Sequence, residues 1–261
     1  MTITVNNPRV GWHSFVLHGA VSATSEQALY PAFHLANPTT YLKWKATTNE
    51  TQQIIVTTEQ VETVNYFAVY GHNWGSRGIT VEFEYSNDGG ANWVAAMAPT
   101  IPNDDGTIFI QTADVAGDAF RLILTPSDDD VYGDPPEATV LHIGRVLELE
   151  RRLYVGHAPL TLNRVQQVST GRSEGGQFLG RTLIQTFYET GVELRNLTPD
   201  WYRENLDFLA RVAATQPFFW TWRPGAYPAE AGYCWALGNF RPTNEQANGM
   251  MAVSFGIQGV S

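Results

Sequence analysis

The sequence has almost no cysteine. Cys234 stands alone, so no disulfide can form within the chain. That argues against a bridge-stapled secreted module, whose cysteines come in even numbers. Charge is scarce as well: 16% of residues are charged, against about a quarter in an ordinary soluble domain. Positive charge is scarcer still, with 16 Lys and Arg against 26 Asp and Glu and a net charge of −10. No basic patch offers to neutralise phosphates, so direct nucleic-acid binding is not expected. The start Met1-Thr2-Ile3-Thr4-Val5 has neither the basic residues nor the apolar run of a secretory leader, which leads us to expect synthesis and folding in a cytoplasm. No stretch approaches the ~20 apolar residues of a membrane span, so no membrane insertion is expected.

Chemistry-bearing motifs are missing too. The six histidines, His13, His18, His34, His72, His142 and His157, form no metal-ligand spacing, and Cys234 has no His nearby. There is no G-x-S-x-G elbow, and a thiol between Tyr233 and Trp235 reads as buried and inert. Gly171-Arg172-Ser173-Glu174-Gly175-Gly176 lacks the Lys-Ser/Thr of a phosphate loop and reads as a flexible loop. The acidic stretches Asn103-Asp104-Asp105-Gly106 and Asp128-Asp129-Asp130 suit either a hard cation or plain solvated turns; without EF-hand spacing, turns are the simpler reading. Glu82 and Glu84 alternate along one strand, as a solvated face does. Neither an enzyme site nor a cofactor is expected.

What is present is aromatic and β-forming. Eight Trp, eleven Tyr and thirteen Phe on a chain this poor in charge suggest surface buried against partners, or simply an adhesive β-protein. In Ile79–Tyr85 apolar residues alternate with Thr80, Glu82 and Glu84, the period of a half-buried strand. Ser86-Asn87-Asp88-Gly89-Gly90 is a turn, and Trp93 begins the return strand. Further short strands are predicted at 53–56, 65–70, 107–111, 120–124 and 139–144. The first domain is therefore read as an antiparallel sandwich or jelly roll over 1–150, with the boundary near Glu150.

The remainder, 151–261, differs. Strands are predicted at 181–189, 218–222, 233–237 and 251–257, around one helix at about 199–214. Thr198 suits its N-cap, Pro199 its first position and Asp200 its first turn. Tyr202, Leu206, Leu209 and Ala213 form an apolar stripe, widened by Phe208 and Val212, and Pro217 ends the helix.

Trp44, Trp74 and Trp93 lie near turns. Trp44 and Trp93 read as core. Trp74, in the loop His72-Asn73-Trp74-Gly75, stands evenly between core and an exposed platform on which a sugar ring could stack. His72, Asn73 and Trp74 are the candidate glycan contacts.

Two resemblances follow from particular residues. Ala23-Thr24-Ser25-Glu26-Gln27, Tyr30-Pro31-Ala32, Leu35-Ala36-Asn37-Pro38-Thr39-Thr40 and Trp44, followed by the strands above and Ser86-Asn87-Asp88-Gly89 before Trp93, resemble a discoidin (factor 5/8 type C, galactose-binding-like) domain over roughly 20–125. Thr57-Thr58 replaces that family's usual Asp-Leu, and its terminal cysteine pair is absent. The resemblance implies a jelly roll whose end loops can hold sugars or lipids. Over about 150–261, the strand-helix-strand order with Pro217-Phe218-Phe219-Trp220-Thr221-Trp222-Arg223-Pro224-Gly225 and Tyr233-Cys234-Trp235 is similar to lambda-type minor tail proteins and distal tail proteins of long-tailed phages. That likeness implies a split β-barrel with a flanking helix, related to the tail-tube fold. It implies a virion location at the tail tip and a ring of like copies, commonly a hexamer, between tube protein and tip or hub proteins. A host surface glycan is the alternative partner.

Overall fold

A computed structural model describes residues 7–127, 133–153, 155–245 and 247–261. The chain is mainly β. It opens with a short strand, β1 (Arg9–Gly11), then enters a first unit built from β2 (Ala20–Ala23), β3 (Trp44–Lys45), β4 (Gln52–Tyr70), β5 (Thr80–Ser86), β6 (Val94–Ala95), β7 (Ile108–Thr125), β8 (Glu137–Ala138) and β9 (Val140–Gly144). The order β2-β4-β7-β5-β6 is antiparallel throughout, β9 also pairs with β4, and β3 pairs with β8.

The strands expected at 53–56 and 65–70 are one strand, β4, and those at 107–111 and 120–124 are one strand, β7. The polar stretch from Thr57 to Thr63 reads as a loop by composition. The ladder nevertheless runs through it, with register shifts between Thr57 and Glu62 and between Val64 and Tyr66. Such bulges bend a strand and increase its twist. Here they let one ribbon serve two layers. Ile54, Val56, Phe120 and Leu122 from one half share a core with Phe67, Val69 and Ile108 from the other and with Leu141 and Ile143 of β9. Each large side chain so buried contributes about 1.5–3 kcal/mol.

The second unit is a seven-stranded sheet. It adds β10 (Leu147–Glu148), β11 (Arg164–Arg172), β12 (Phe178–Leu197), β13 (Phe218–Thr221), β14 (Ala231–Asn244) and β15 (Met251–Val260), in the order β10-β1-β13-β14-β15-β12-β11. Strand β1 therefore belongs here: Arg9 lies opposite both Glu148 and Thr221, and Val10 opposite Leu147 and Trp220. A single cut at residue 150 leaves β1 with the sandwich, whereas its hydrogen bonds lie in the other sheet.

Helix α1 spans residues 199–212, regular at Pro199–Trp201 and Asp207–Val212 and widened to a π-turn at Tyr202–Leu206. Thr198 occupies the N-cap position in extended conformation, but its side chain makes no capping bond. The Glu150 carboxylate instead accepts from the Thr198 N–H at 2.8 Å. Tyr202, Leu206, Leu209 and Ala213 are buried against Val192, Leu194, Trp220, Val253 and Ile257, as the stripe predicts. Phe208 is a correction. It is 56% exposed and meets only the edge of that core, at Trp12, 5.6 Å between ring centres. The π-turn adds a residue to the helical register and turns Phe208 off the stripe.

The units meet across a small aromatic core. Tyr66, Ala68, Phe109 and Val140 of the first unit pack on Phe219, Ala231 and Tyr233 of the second. The Tyr233 hydroxyl donates to the Pro38 carbonyl at 2.7 Å, and the Tyr66 hydroxyl to that of His13 at 2.8 Å. His142 is buried here, donating from Nδ1 to the Gly11 carbonyl at 3.1 Å, edge-on to Phe219. Burial holds its pKa down to about 4, so the ring is neutral near pH 7.

Candidate functional site

The loop proposed for glycan contact is brought together, but inward. Trp74 is 0% exposed and belongs to the sandwich core, so no ring can stack on it. His72 is buried: its Nε2–H donates to the Gly106 carbonyl at 2.7 Å, and its Nδ1 accepts from the Trp74 N–H at 3.1 Å. Both nitrogens are thereby satisfied by a neutral ring, and burial lowers its pKa. Asn73 donates to the Pro135 carbonyl and accepts from the Glu137 N–H. Gly75 explains the inward turn. A Cβ there would lie 2.0 Å from the Asp104 carbonyl oxygen, so only glycine lets the two loops touch. The trio is a plug for one end of the sandwich, which corrects the reading of it as an exposed platform.

Other expectations sort by geometry. Trp44 is core, as expected. Trp93 is only half-buried, with the Arg121 guanidinium 4.3 Å from its ring centre. Arg121 also pairs with Glu84 at 2.6 Å, so Glu84 is not simply solvated. Asp104 and Asp105 accept from the Gly106 and Ser76 N–H groups, which ties that acidic loop into the same end of the sandwich. Asp128-Asp129-Asp130 lies outside the described residues. Cys234 is buried, its thiol against the Phe218 carbonyl at 3.4 Å, and burial pushes its pKa up. Among the described residues no group of three His, Cys, Asp or Glu is placed to hold a metal. No described helix is long and apolar enough to cross a membrane.

The aromatics that the first unit does expose were missed in the sequence. Tyr41 is 90% and Phe33 64% exposed, beside exposed Leu29. Phe33 lies within the 3-10 turn Ala32–Ala36, with Leu29 before it and Tyr41 after it.

The larger unburied surface is an arm. Strand β12 pairs with β15 only from Tyr188 onward, so 164–187 is a two-stranded ribbon paired with itself. None of its residues is buried. At roughly 3.3 Å per residue it projects about 30 Å. Two register shifts leave Leu179 and Ile184 without cross-strand partners, beside Phe178 and Leu183. The result is two apolar doublets, each member more than half exposed. The ribbon carries Arg164, Arg172 and Arg181 against Glu174, positive on a chain of net charge −10. Strand β11 was not predicted, because its Gln- and Ser-rich composition hides the period of two. The glycine run 171–176 forms the end of β11 and the arm's tip, where Ser173 and Gln177 close the turn.

A cavity of about 450 Å³ opens on the same sheet, over β12, β14 and β15, lined by His157, Gly191, Leu237, Gly238, Phe255 and Gly256 among others.

No family model and no curated protein sequence matches the chain. Among solved structures it is similar to chitosan-binding module 1 of a chitosanase/glucanase from Paenibacillus sp. IK-5, with 19% identity over 50% of this chain and 98% of that one, TM-score 0.44. It is also similar to a Clostridium perfringens carbohydrate-binding module in complex with GalNAc-β-1,3-galactose, with 14% identity over 51% of this chain and 99% of that one, TM-score 0.44. A pectin-binding carbohydrate-binding module shares 16% identity over 48% of this chain and 88% of that one, TM-score 0.41.

Proposed function

We propose that the chain is a structural protein of a bacteriophage tail tip. It builds a ring between the tail tube and the tip complex, with the sandwich turned outward. The observation that carries this reading is the arm: a ribbon with no buried residue and four large exposed apolar side chains, whereas the other long strands each bury part of their length. Two-stranded ribbons alone are marginal in water, and exposed edges and apolar patches call for a partner. The resemblance of 150–261 to lambda-type minor tail and distal tail proteins supplies the setting. In this reading the chain carries out no catalysis and resides in the virion, and its excess carboxylates face a DNA-conducting lumen to repel phosphates. Light scattering of the purified chain over a wide concentration range tests it: a closed oligomer, commonly of six copies, is expected. A stable monomer at high concentration overturns it.

A second reading is adhesion to host surface glycans through the first unit. Exposed Tyr41 and Phe33 favour it, since a ring face in water can stack on a sugar. A glycan array and calorimetric titration of the full chain test it. Loss of binding in Tyr41→Ala supports this reading, and no binding by the native chain removes it.

A further inference from the structure

The cavity and the arm lie on one sheet, yet they cannot meet within one chain. Gly191 in the cavity and Phe178 near the arm's tip are thirteen residues apart along the same extended strand, roughly 40 Å. The arm of the same chain therefore does not fill the cavity.

Its floor is unusual for a strand. Gly191 lies opposite Gly256, and Gly256 opposite Leu237, so a row poor in side chains crosses β12, β15 and β14. Glycine inside a strand costs roughly 0.5–1 kcal/mol relative to alanine. Gly191 has no positive φ, and a Cβ built on it meets nothing within 4 Å. Among the described residues nothing asks for glycine there. Close approach of another backbone does. A second hollow of about 320 Å³, lined by Asn163, Val165 and Glu189, shares Gly191 and Gly256 and extends the trough towards the base of the arm.

We propose that this trough receives the arm of a second copy of the chain, with the doublet Phe178-Leu179 in the cavity. The inference rests on the assembly reading above and names its contact. The arm supplies what the trough lacks: large exposed apolar side chains. Its positive charge suits a chain that is otherwise acidic. Donor and acceptor are different surfaces, so the contact runs head to tail. Repeated from copy to copy, such a contact closes a ring where the rotation between copies allows it, which is the arrangement that the assembly reading requires.

Two full-length variants test this. Gly191→Val is expected to melt no lower than the native chain, because a Cβ there meets nothing within 4 Å and valine favours strands. It is expected to weaken assembly at least a hundredfold by light scattering. In the second test, Phe178→Cys on one copy and Asn239→Cys on another are mixed and oxidised; the sole native thiol, Cys234, is buried. A disulfide-linked pair is expected only when both are present. If the native chain assembles while Gly191→Val assembles equally well and no cross-link forms, the trough is not the acceptor and the ring reading stands. If the native chain stays monomeric throughout, the ring reading fails and this inference with it. The cross-link decides even if Gly191→Val does not fold.

Discussion

The molecule contains two long antiparallel ribbons, and they meet opposite fates. In the first unit β4 and β7 are bent by bulges until their halves enclose a core, and Phe67, Phe120 and Leu122 disappear from solvent. In the second unit β11 and β12 also carry two bulges, yet the ribbon extends into water with Phe178, Leu179, Leu183 and Ile184 uncovered. Bulges alone do not decide the outcome. The sequence between them does. β4 and β7 place large apolar residues two apart on both sides of the bend, so bending brings apolar faces together. The arm has Gln, Thr, Ser and Gly in most of those places, and its apolar residues cluster at the bulges. The first ribbon is covered by its own chain; the second has its apolar surface available to another.

That contrast can be broken by substitution. Phe67→Ala should produce the largest loss, about 3–5 kcal/mol in denaturant unfolding, because a fully buried ring leaves a cavity. A loss below about 1 kcal/mol would mean that the first ribbon is not held by that core.

Acid should come next. His142 has a folded pKa of about 4 against roughly 6.5 unfolded, so the unfolded chain binds the extra proton between those values. The stability from its neutral ring is complete above pH 6.5 and is lost as pH falls towards 4, on the order of 3 kcal/mol. Chemical unfolding at stepped pH should show this slope, and His142→Leu should flatten it. An unchanged slope would remove His142 as its source.

Tyr233→Phe should cost about 1 kcal/mol, since it removes only the hydroxyl bond to Pro38 from the contact between units. No change in melting temperature would show that ring packing on Tyr70 and His142 carries the contact alone.

The smallest effect on folding belongs to the arm. Leu183→Ser with Ile184→Ser should shift monomer stability by no more than about 0.5 kcal/mol, as exposed sites do, while abolishing assembly. A large drop in stability would show that the arm is covered within its own chain.

These elements also show what could be read in advance. The alternation at 79–85, the helical stripe at 202, 206, 209 and 213, and the turn at Asp88-Gly89 were legible because local period and turn chemistry agree with the fold. The continuity of β4 was not, because Glu59, Gln60 and Glu62 look like a loop, and only the pairing of Thr57 and Glu62 with β7 on either side of the bulge carries the strand across them. The inward turn of Trp74 depended on contact between Gly75 and Asp104, about thirty residues on, which no local pattern encodes. Strand β1, pairing with residues more than two hundred positions away, left no local trace at all.

That last strand has a consequence for how the protein could change over time. Gly11 and Val146 adjoin the paired residues Val10 and Leu147, so the first unit leaves and returns at neighbouring points. In topological terms it is a very long hairpin connection. A flexible connection of that length would cost roughly 3 kcal/mol more to close than a tight turn. A folded one costs little, because its own sheets hold its ends together. The sandwich can therefore be exchanged, enlarged or dropped for a short turn while the register of β1 against β13 is retained, which frees the first unit to diversify around a fixed sheet.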